Sequence, residues 1–143
     1  MPQLGSRAAL VVVMAGLFTV FASFWTWGTC PTTPCGGVLQ AISWYSGVDL
    51  GFGIVTAVAG LGLIGLGLAS VRTQDPVRLA PIATVLALVI VVSAAASVVW
   101  MYVLPGEDKA FYWPPSTAVL VAIAGLLAVG ASLRLRGWRP RPR

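Results

Sequence analysis

The chain has 143 residues, of which 58% are hydrophobic and only 9% are charged, and its formal net charge is +5. A soluble domain with this composition would leave a large apolar surface in water, so the composition excludes an ordinary soluble protein. The basic residues flank apolar segments and carry no interleaved aromatic pattern apart from Trp138, so they do not indicate a nucleic-acid-binding surface.

Four long apolar segments account for most of the chain. They cover residues 8–27, 50–71, 80–104 and 117–133, and none of them contains a charged residue. Each is close to the roughly 20 residues with which an α-helix crosses about 30 Å of hydrocarbon. The sequence therefore predicts an all-α membrane protein, a four-transmembrane-helix bundle that forms one membrane domain over residues 1–143. The first helix is expected to remain uncleaved, because it lacks a small-x-small cleavage site.

The basic residues predict the orientation of these helices. Eight of the nine lie before the first segment, between the second and third, or after the fourth: Arg7, Arg72, Arg78, Arg134, Arg136, Arg139, Arg141 and Arg143. Because cytoplasmic loops are enriched in Lys and Arg, both termini are predicted to be cytoplasmic, with outer loops at residues 28–49 and 105–116. The basic cytoplasmic tail, residues 134–143, is expected to contact anionic lipid, with docking of a protein as the alternative.

Large aromatic residues mark the predicted outer end of every helix. They are Phe21, Phe24, Trp25, Trp27, Trp44, Tyr45, Trp100, Tyr102, Tyr112 and Trp113. Tyr and Trp favour the headgroup level, where one end of the side chain is apolar and the other is wet. We therefore predict an aromatic belt at the outer surface, with a ligand cage or a quinone site as the alternative.

Both cysteines of the chain, Cys30 and Cys35, lie in the first predicted outer loop. That side of a bacterial membrane is oxidising, so we expect a structural disulfide that staples the loop. A redox pair that passes electrons to quinone, and bonding to a metal or a partner, remain as alternatives. Two cysteines in a chain without histidine are too few for a four-ligand zinc site in this loop.

In a four-span chain, Trp27 shortly before Cys30 and Cys35 resembles the layout of claudin-like tetraspan proteins. The resemblance is one of layout, with four spans and a tryptophan shortly before a cysteine pair in the first outer loop. The first outer segment of that family is longer and forms a small sheet, and its longer tryptophan and cysteine signature is not met here. The resemblance therefore extends to architecture, and no function is transferred from it.

Asp49 is the acidic residue at the edge of the second predicted helix. With Ser46 three positions earlier, it fits a helix start in which the serine caps amide groups and the carboxylate favours the positive helix end. A contact to an ion or ligand is the alternative, because carboxylates near the membrane often mark transport paths. The outer charges at residues 107–109 are predicted to form a solvated turn.

Small residues predict where the helices pack closely. The predicted packing positions are Gly51, Gly53, Gly60 and Gly65 in the second helix and Ser93 and Ser97 in the third. In lipid, small residues let helix backbones approach each other. Glycines lie on more than one side of the second helix, which predicts contacts within the bundle and with a helix of another protein.

The sequence contains no histidine, no phosphate-binding glycine loop, and no acidic, basic or amide side chain within a predicted span. These features disfavour intramembrane enzymes and ion-coupled carriers, so we expect no catalytic residue, metal or cofactor. We predict a non-catalytic interaction protein, an accessory or assembly subunit that contacts membrane lipids and other integral membrane subunits. The alternatives are a small transporter or lipid-binding module near Asp49, and a thiol-disulfide redox protein that uses Cys30 and Cys35.

The excess of Arg over Lys, with abundant Ala, Val, Gly and Leu, is common in proteins from GC-rich bacterial genomes. The composition therefore favours the plasma (inner) membrane of such a bacterium, with the chain as a multi-pass protein.

Overall fold

The computed structural model describes residues 3–29, 44–46, 51–72, 76–102 and 116–137. They form four α-helices: α1 (Gln3–Ser23), α2 (Phe52–Arg72), α3 (Ala80–Tyr102) and α4 (Ser116–Gly137). Two short strands, β1 (Thr26–Thr29) and β2 (Trp44–Ser46), follow α1 and precede α2. A 3-10 helix at Pro76–Arg78 leads into α3.

The prediction of a helical protein with four helices is confirmed, and three of these helices are long and apolar enough to cross a membrane. The three segments are Phe52–Arg72, Ala80–Trp100 and Thr117–Arg136. The apolar part of α1, Arg7–Ser23, is shorter, with 17 residues. The described helices therefore fit a multi-pass membrane protein.

Helix α1 ends at Ser23, four residues before the predicted end of the first apolar segment at Trp27. The amide of Phe24 donates to the carbonyl oxygen of Phe21 at 3.2 Å, and the amide of Trp25 donates to that of Ala22 at 3.1 Å. These three-residue spacings tighten the last turn, as is common at helix ends. Strand β1 then begins at Thr26.

The strands pair antiparallel, with Thr26 opposite Ser46 and Thr29 opposite Trp44. The register shifts between Thr26 and Gly28, where the pairing is irregular. The sequence analysis did not predict these strands, because each is too short to give an alternating pattern by itself. Their pairing brings together the two ends of the segment that contains both cysteines.

Each helix packs on its neighbour along the chain, and α4 closes the ring by packing on α1. The core contains one large, fully buried apolar side chain from each helix: Val12, Leu63, Ile90 and Val121. Most of the other buried apolar residues are alanines. The backbones therefore pack closely, since small side chains fill most of the space between the helices.

The outward faces of the bundle carry large apolar side chains on every helix. Met14, Val58, Val92 and Leu127 are examples, with exposed fractions of 57%, 65%, 64% and 59%. In water this surface would be far larger than the apolar patches that monomeric soluble proteins expose. It suits a hydrocarbon environment, in which apolar side chains on the outside carry no such cost.

Candidate functional site

The glycines show that two helix backbones approach each other most closely between α1 and α2, at Gly16 and Gly60. A β-carbon at Gly16 would lie 2.6 Å from the carbonyl oxygen of Gly60, and one at Gly60 would lie 2.9 Å from the carbonyl oxygen of Gly16. Real β-carbons do not approach backbone oxygens this closely, so both positions require glycine. The sequence analysis identified Gly60 but missed Gly16. A signal was present, since Ala9, Gly16 and Ser23 repeat small residues at every seventh position of the first helix.

Three further glycines fit against neighbouring side chains. A β-carbon at Gly67 on α2 would lie 2.5 Å from Val13 Cγ2 on α1 and 3.2 Å from the carbonyl oxygen of Ala9. A β-carbon at Gly62 would lie 2.7 Å from Leu86 Cδ1 on α3. A β-carbon at Gly125 on α4 would lie 2.7 Å from Val91 Cγ2 and 3.2 Å from the carbonyl oxygen of Ala87. Glycine therefore also supports the α2–α3 and α3–α4 contacts.

Gly65 and Gly130 differ from these glycines because they face outward. Both are exposed, and a β-carbon at either position would have no atom of the described structure within 4 Å. Among the described residues, no other helix uses the close approach that these two positions permit.

The remaining predicted packing positions have different surroundings. Gly51 is exposed and has a φ of 78°, in the left-handed region that favours glycine. The backbone conformation before α2, and not helix packing, therefore explains why glycine occupies this position. Gly53 is buried, and its carbonyl oxygen accepts a hydrogen bond from the Thr56 hydroxyl at 3.1 Å. Ser97 is buried and donates to the carbonyl oxygen of Ala94 at 2.7 Å, whereas Ser93 is half-buried.

Two pairs of hydroxyl groups connect neighbouring helices. The hydroxyl oxygens of Ser23 on α1 and Thr56 on α2 lie 2.8 Å apart, and those of Thr84 on α3 and Ser132 on α4 also lie 2.8 Å apart. Among the described residues, every buried side-chain nitrogen or oxygen atom has a hydrogen-bond partner. The polar groups inside the bundle therefore serve helix packing.

The predicted aromatic belt separates into buried and exposed members. Trp100 near the end of α3 is half-buried and makes an edge-to-face contact with Phe52 at the start of α2, with ring centroids 6.5 Å apart. Phe21, Phe24 and Trp25, by contrast, are exposed. Trp100 therefore helps to close the α2–α3 pair, while the three aromatic residues at the end of α1 lie on the outside of the bundle.

An apolar groove of about 450 Å³ lies between α1 and α4 on the outside of the bundle. Its lining consists of Leu10, Val11, Met14, Ala15, Phe18, Leu120, Ile123, Ala124 and Leu127. No polar or charged side chain contributes to this lining. The groove can bind an apolar group, and it offers no chemistry for a reaction.

Three of the predicted site residues, Cys30, Cys35 and Asp49, lie outside the described residues. The disulfide and the ion or ligand contact therefore stay predictions. Within the described ranges, no group of three His, Cys, Asp or Glu side chains is placed to hold a metal ion.

The described part of the chain has the geometry of a helical bundle protein. It is a bundle of four helices that pack through small residues. Three of these helices are long and apolar enough to cross a membrane. Comparisons with protein-family models, with curated proteins and with solved structures gave no match.

Proposed function

We propose that the chain is a four-span protein of the plasma membrane with cytoplasmic termini, and that it serves as a non-catalytic accessory or assembly subunit of a larger membrane complex. The observation that carries this proposal is the outward-facing Gly65.

Neighbouring helices of the bundle run antiparallel, because Ser23 at the end of α1 meets Thr56 near the start of α2, and Thr84 near the start of α3 meets Ser132 near the end of α4. Phe52 at the start of α2 likewise meets Trp100 near the end of α3. The start of α1, the end of α2, the start of α3 and the end of α4 therefore share one side of the bundle. All the arginines lie in or beside these segments. Under the positive-inside rule, this side is cytoplasmic.

The shorter apolar length of α1 is compatible with a fourth span. The 17 residues of Arg7–Ser23 cover about 26 Å at a rise of about 1.5 Å per residue, which is a few ångströms less than a typical hydrocarbon core. Flanking residues and local thinning of the bilayer accommodate a mismatch of this size at a modest cost. Arg7 is exposed, and its long side chain can reach the headgroup level.

Gly65 supports docking of a partner helix. It lies on the outward face of α2, between Leu61 and Leu68, which are 59% and 51% exposed. In soluble hosts, a glycine inside a helix costs about 1 kcal/mol relative to alanine. Gly60 offsets this cost through its contact with Gly16, but Gly65 makes no contact of this kind with any residue that the structure describes. A helix of another subunit packed at Gly65 and Ala69, one turn apart, would supply the missing contact.

The proposal is tested by extracting the protein in a gentle detergent from its native membrane, with a tag on the cytoplasmic tail, and identifying what co-purifies. The wild-type protein is expected to retain larger subunits in fixed stoichiometry, and Gly65→Leu to lose them. Gly130→Leu is the matched control, because Gly130 also has open space around it but lies on α4. A wild-type protein that purifies alone would refute the accessory role, and retention of the subunits by Gly65→Leu would refute docking at this face.

Gly60→Leu is unsuitable as the test of docking, although it also replaces a glycine of α2. Its β-carbon would meet the carbonyl oxygen of Gly16 and Val20 Cγ2 at 2.9 and 3.0 Å. Loss of a partner in that variant would follow from disruption of the bundle itself. Gly65→Leu leaves the α1–α2 contact intact and therefore reports on the outer face alone.

A further inference from the structure

The groove between α1 and α4 lies in line with two arginines at the cytoplasmic end of the bundle. Arg7 precedes Leu10 and Val11 by one helical turn, and Arg134 follows Leu127 by seven residues, or two turns. Residues three, four and seven positions apart share one face of a helix. Both arginines therefore lie on the same helix faces as the groove lining, and both are exposed.

The space between the groove and Arg134 is open on the α4 side. Gly130 lies one turn before Arg134, is exposed, and has no described atom within 4 Å of its β-carbon position. No side chain at this position separates the apolar lining from the charged end. A ligand can thus contact both at once.

We propose that this groove binds one anionic phospholipid of the cytoplasmic leaflet. An acyl chain lies along the apolar lining, and the phosphate group lies near the guanidinium groups of Arg7 and Arg134. Arginine suits this role because its planar guanidinium donates paired hydrogen bonds to phosphate oxygens. Basic sites between helices on the cytoplasmic side bind anionic headgroups in other membrane proteins. The proposal rests on the membrane orientation proposed above.

The shape of the groove favours an acyl chain over another helix. Its floor contains Ala15 and Ala124, which are 7% exposed, whereas its walls contain larger, exposed side chains such as Leu10, Met14 and Leu127. Docking of a helix requires small residues along the rim, so that the backbones can approach. A slot between bulky walls admits a flexible chain and keeps out a helix about 10 Å wide.

The test measures lipid retained by the purified full-length protein with native mass spectrometry. The protein is reconstituted in vesicles with equal amounts of phosphatidylglycerol and phosphatidylcholine that have identical acyl chains, and is then extracted in a mild detergent. Wild-type protein is expected to retain one phosphatidylglycerol in preference to phosphatidylcholine. Equal retention of the two lipids, or retention of neither, would overturn the proposal.

Two variants locate the bound lipid. Arg7→Gln/Arg134→Gln is expected to lower phosphatidylglycerol retention by roughly tenfold to thirtyfold, since each basic residue near an anionic surface contributes on the order of a fivefold gain. Its matched control is Arg72→Gln/Arg136→Gln, which removes two charges from the same end of the bundle on faces away from the groove. The control should retain the lipid like the wild type. An equal loss in both double variants would show a general charge effect and overturn the assigned site.

Ile123→Trp tests the apolar part of the site, because the larger ring would occupy the groove. Ile54→Trp on α2 is its control, since Ile54 is exposed to a similar degree, 53% against 47% for Ile123, and lies outside the groove. Loss of lipid is expected in Ile123→Trp alone. If Ile123→Trp instead disrupted a dimer while lipid retention stayed unchanged, a second copy of the chain would be the occupant and the proposal would be wrong.

The lipid proposal and the accessory function can fail separately. Failure of the proposed orientation would appear as a tail that is accessible from outside the cell, before any lipid is measured. If the orientation holds and phosphatidylglycerol is not retained, the lipid proposal alone fails. Gly65→Leu should lose its partner and still retain the lipid, because Gly65 is not part of the groove lining.

Discussion

The hydroxyl oxygens of Ser23 and Thr56 lie 2.8 Å apart, at the end of α1 and near the start of α2. Each hydroxyl is also within hydrogen-bond distance of a carbonyl oxygen of its own helix, that of Thr19 for Ser23 and that of Gly53 for Thr56. Each hydroxyl carries one hydrogen, so the two hydroxyls can donate only two of the three possible hydrogen bonds at the same time. When one hydroxyl donates to the other across the helices, it therefore gives up its hydrogen bond to the carbonyl oxygen of its own helix.

Because one hydrogen bond replaces another, we expect Thr56→Val to have a small effect on the free energy of unfolding. With valine at this position, the Ser23 hydroxyl can still donate to the carbonyl oxygen of Thr19, so no buried donor loses its partner. We expect the free energy of unfolding to fall by about 0.6 kcal/mol, the average for hydrogen bonds between membrane helices. Reversible unfolding in mixed detergent micelles measures this change, and a loss of about 3 kcal/mol or more, as for a buried partner left unsatisfied, would contradict the exchange.

Gly16→Ala and Gly62→Ala are expected to differ, although each adds one methyl group. At Gly16 the methyl group meets the backbone oxygen of Gly60, which cannot move without shifting α2. At Gly62 it meets the tip of the Leu86 side chain, which can rotate away. We expect Gly16→Ala to lower the free energy of unfolding by roughly 1–3 kcal/mol, and Gly62→Ala to change it by less than about 1 kcal/mol. Equal effects in the same unfolding assay would refute the close contact between α1 and α2.

The α3–α4 contact allows a rescue experiment. Gly125→Ala is expected to destabilise the bundle by roughly 1–3 kcal/mol, because its β-carbon would crowd Val91 Cγ2. Adding Val91→Ala removes that methyl group, so the double variant should be more stable than the sum of the two single changes predicts. Simple additivity in a double-mutant cycle would show that the two residues do not meet.

The proposed orientation predicts which positions react with a membrane-impermeant thiol reagent. In a background with Cys30→Ser and Cys35→Ser, a cysteine introduced at residue 74 or 140 should react only after the membrane is opened. A cysteine introduced at residue 108 should react in intact cells. Reaction of residue 140 in intact cells would place the tail outside and refute the orientation that the arginines predict.

The predicted staple between Cys30 and Cys35 has a direct chemical test. In protein quenched with acid and then denatured at neutral pH, an alkylating reagent should modify neither cysteine before reduction and both cysteines after it. The result should be the same for cells grown under oxidising and reducing conditions, because a structural disulfide resists reduction. Thiols that appear and disappear with growth conditions would favour the redox alternative.

The sequence by itself determined where the long apolar helices lie along the chain. Spans two to four were located to within a few residues because charged residues bound each apolar segment, and burying a charge in hydrocarbon is costly. Helix α4 continues past the predicted end at Leu133 to Gly137, since arginines near a helix end are compatible with the helix and interact favourably with its dipole. The end of α1 was missed because Trp27 is as apolar as the helix before it, and because the pairing of β1 with β2 joins residues that are distant in the sequence.

Only the tertiary structure decided which faces of these helices meet. Gly60 and Gly65 are equivalent by composition, yet they lie about 140° apart around α2, so that Gly60 faces Gly16 while Gly65 faces outward. In a soluble helix, the contrast between polar and apolar residues would reveal the buried side. These helices are apolar all round, so their orientation depends on how small and large side chains fit together, and that fit involves residues on two helices at once.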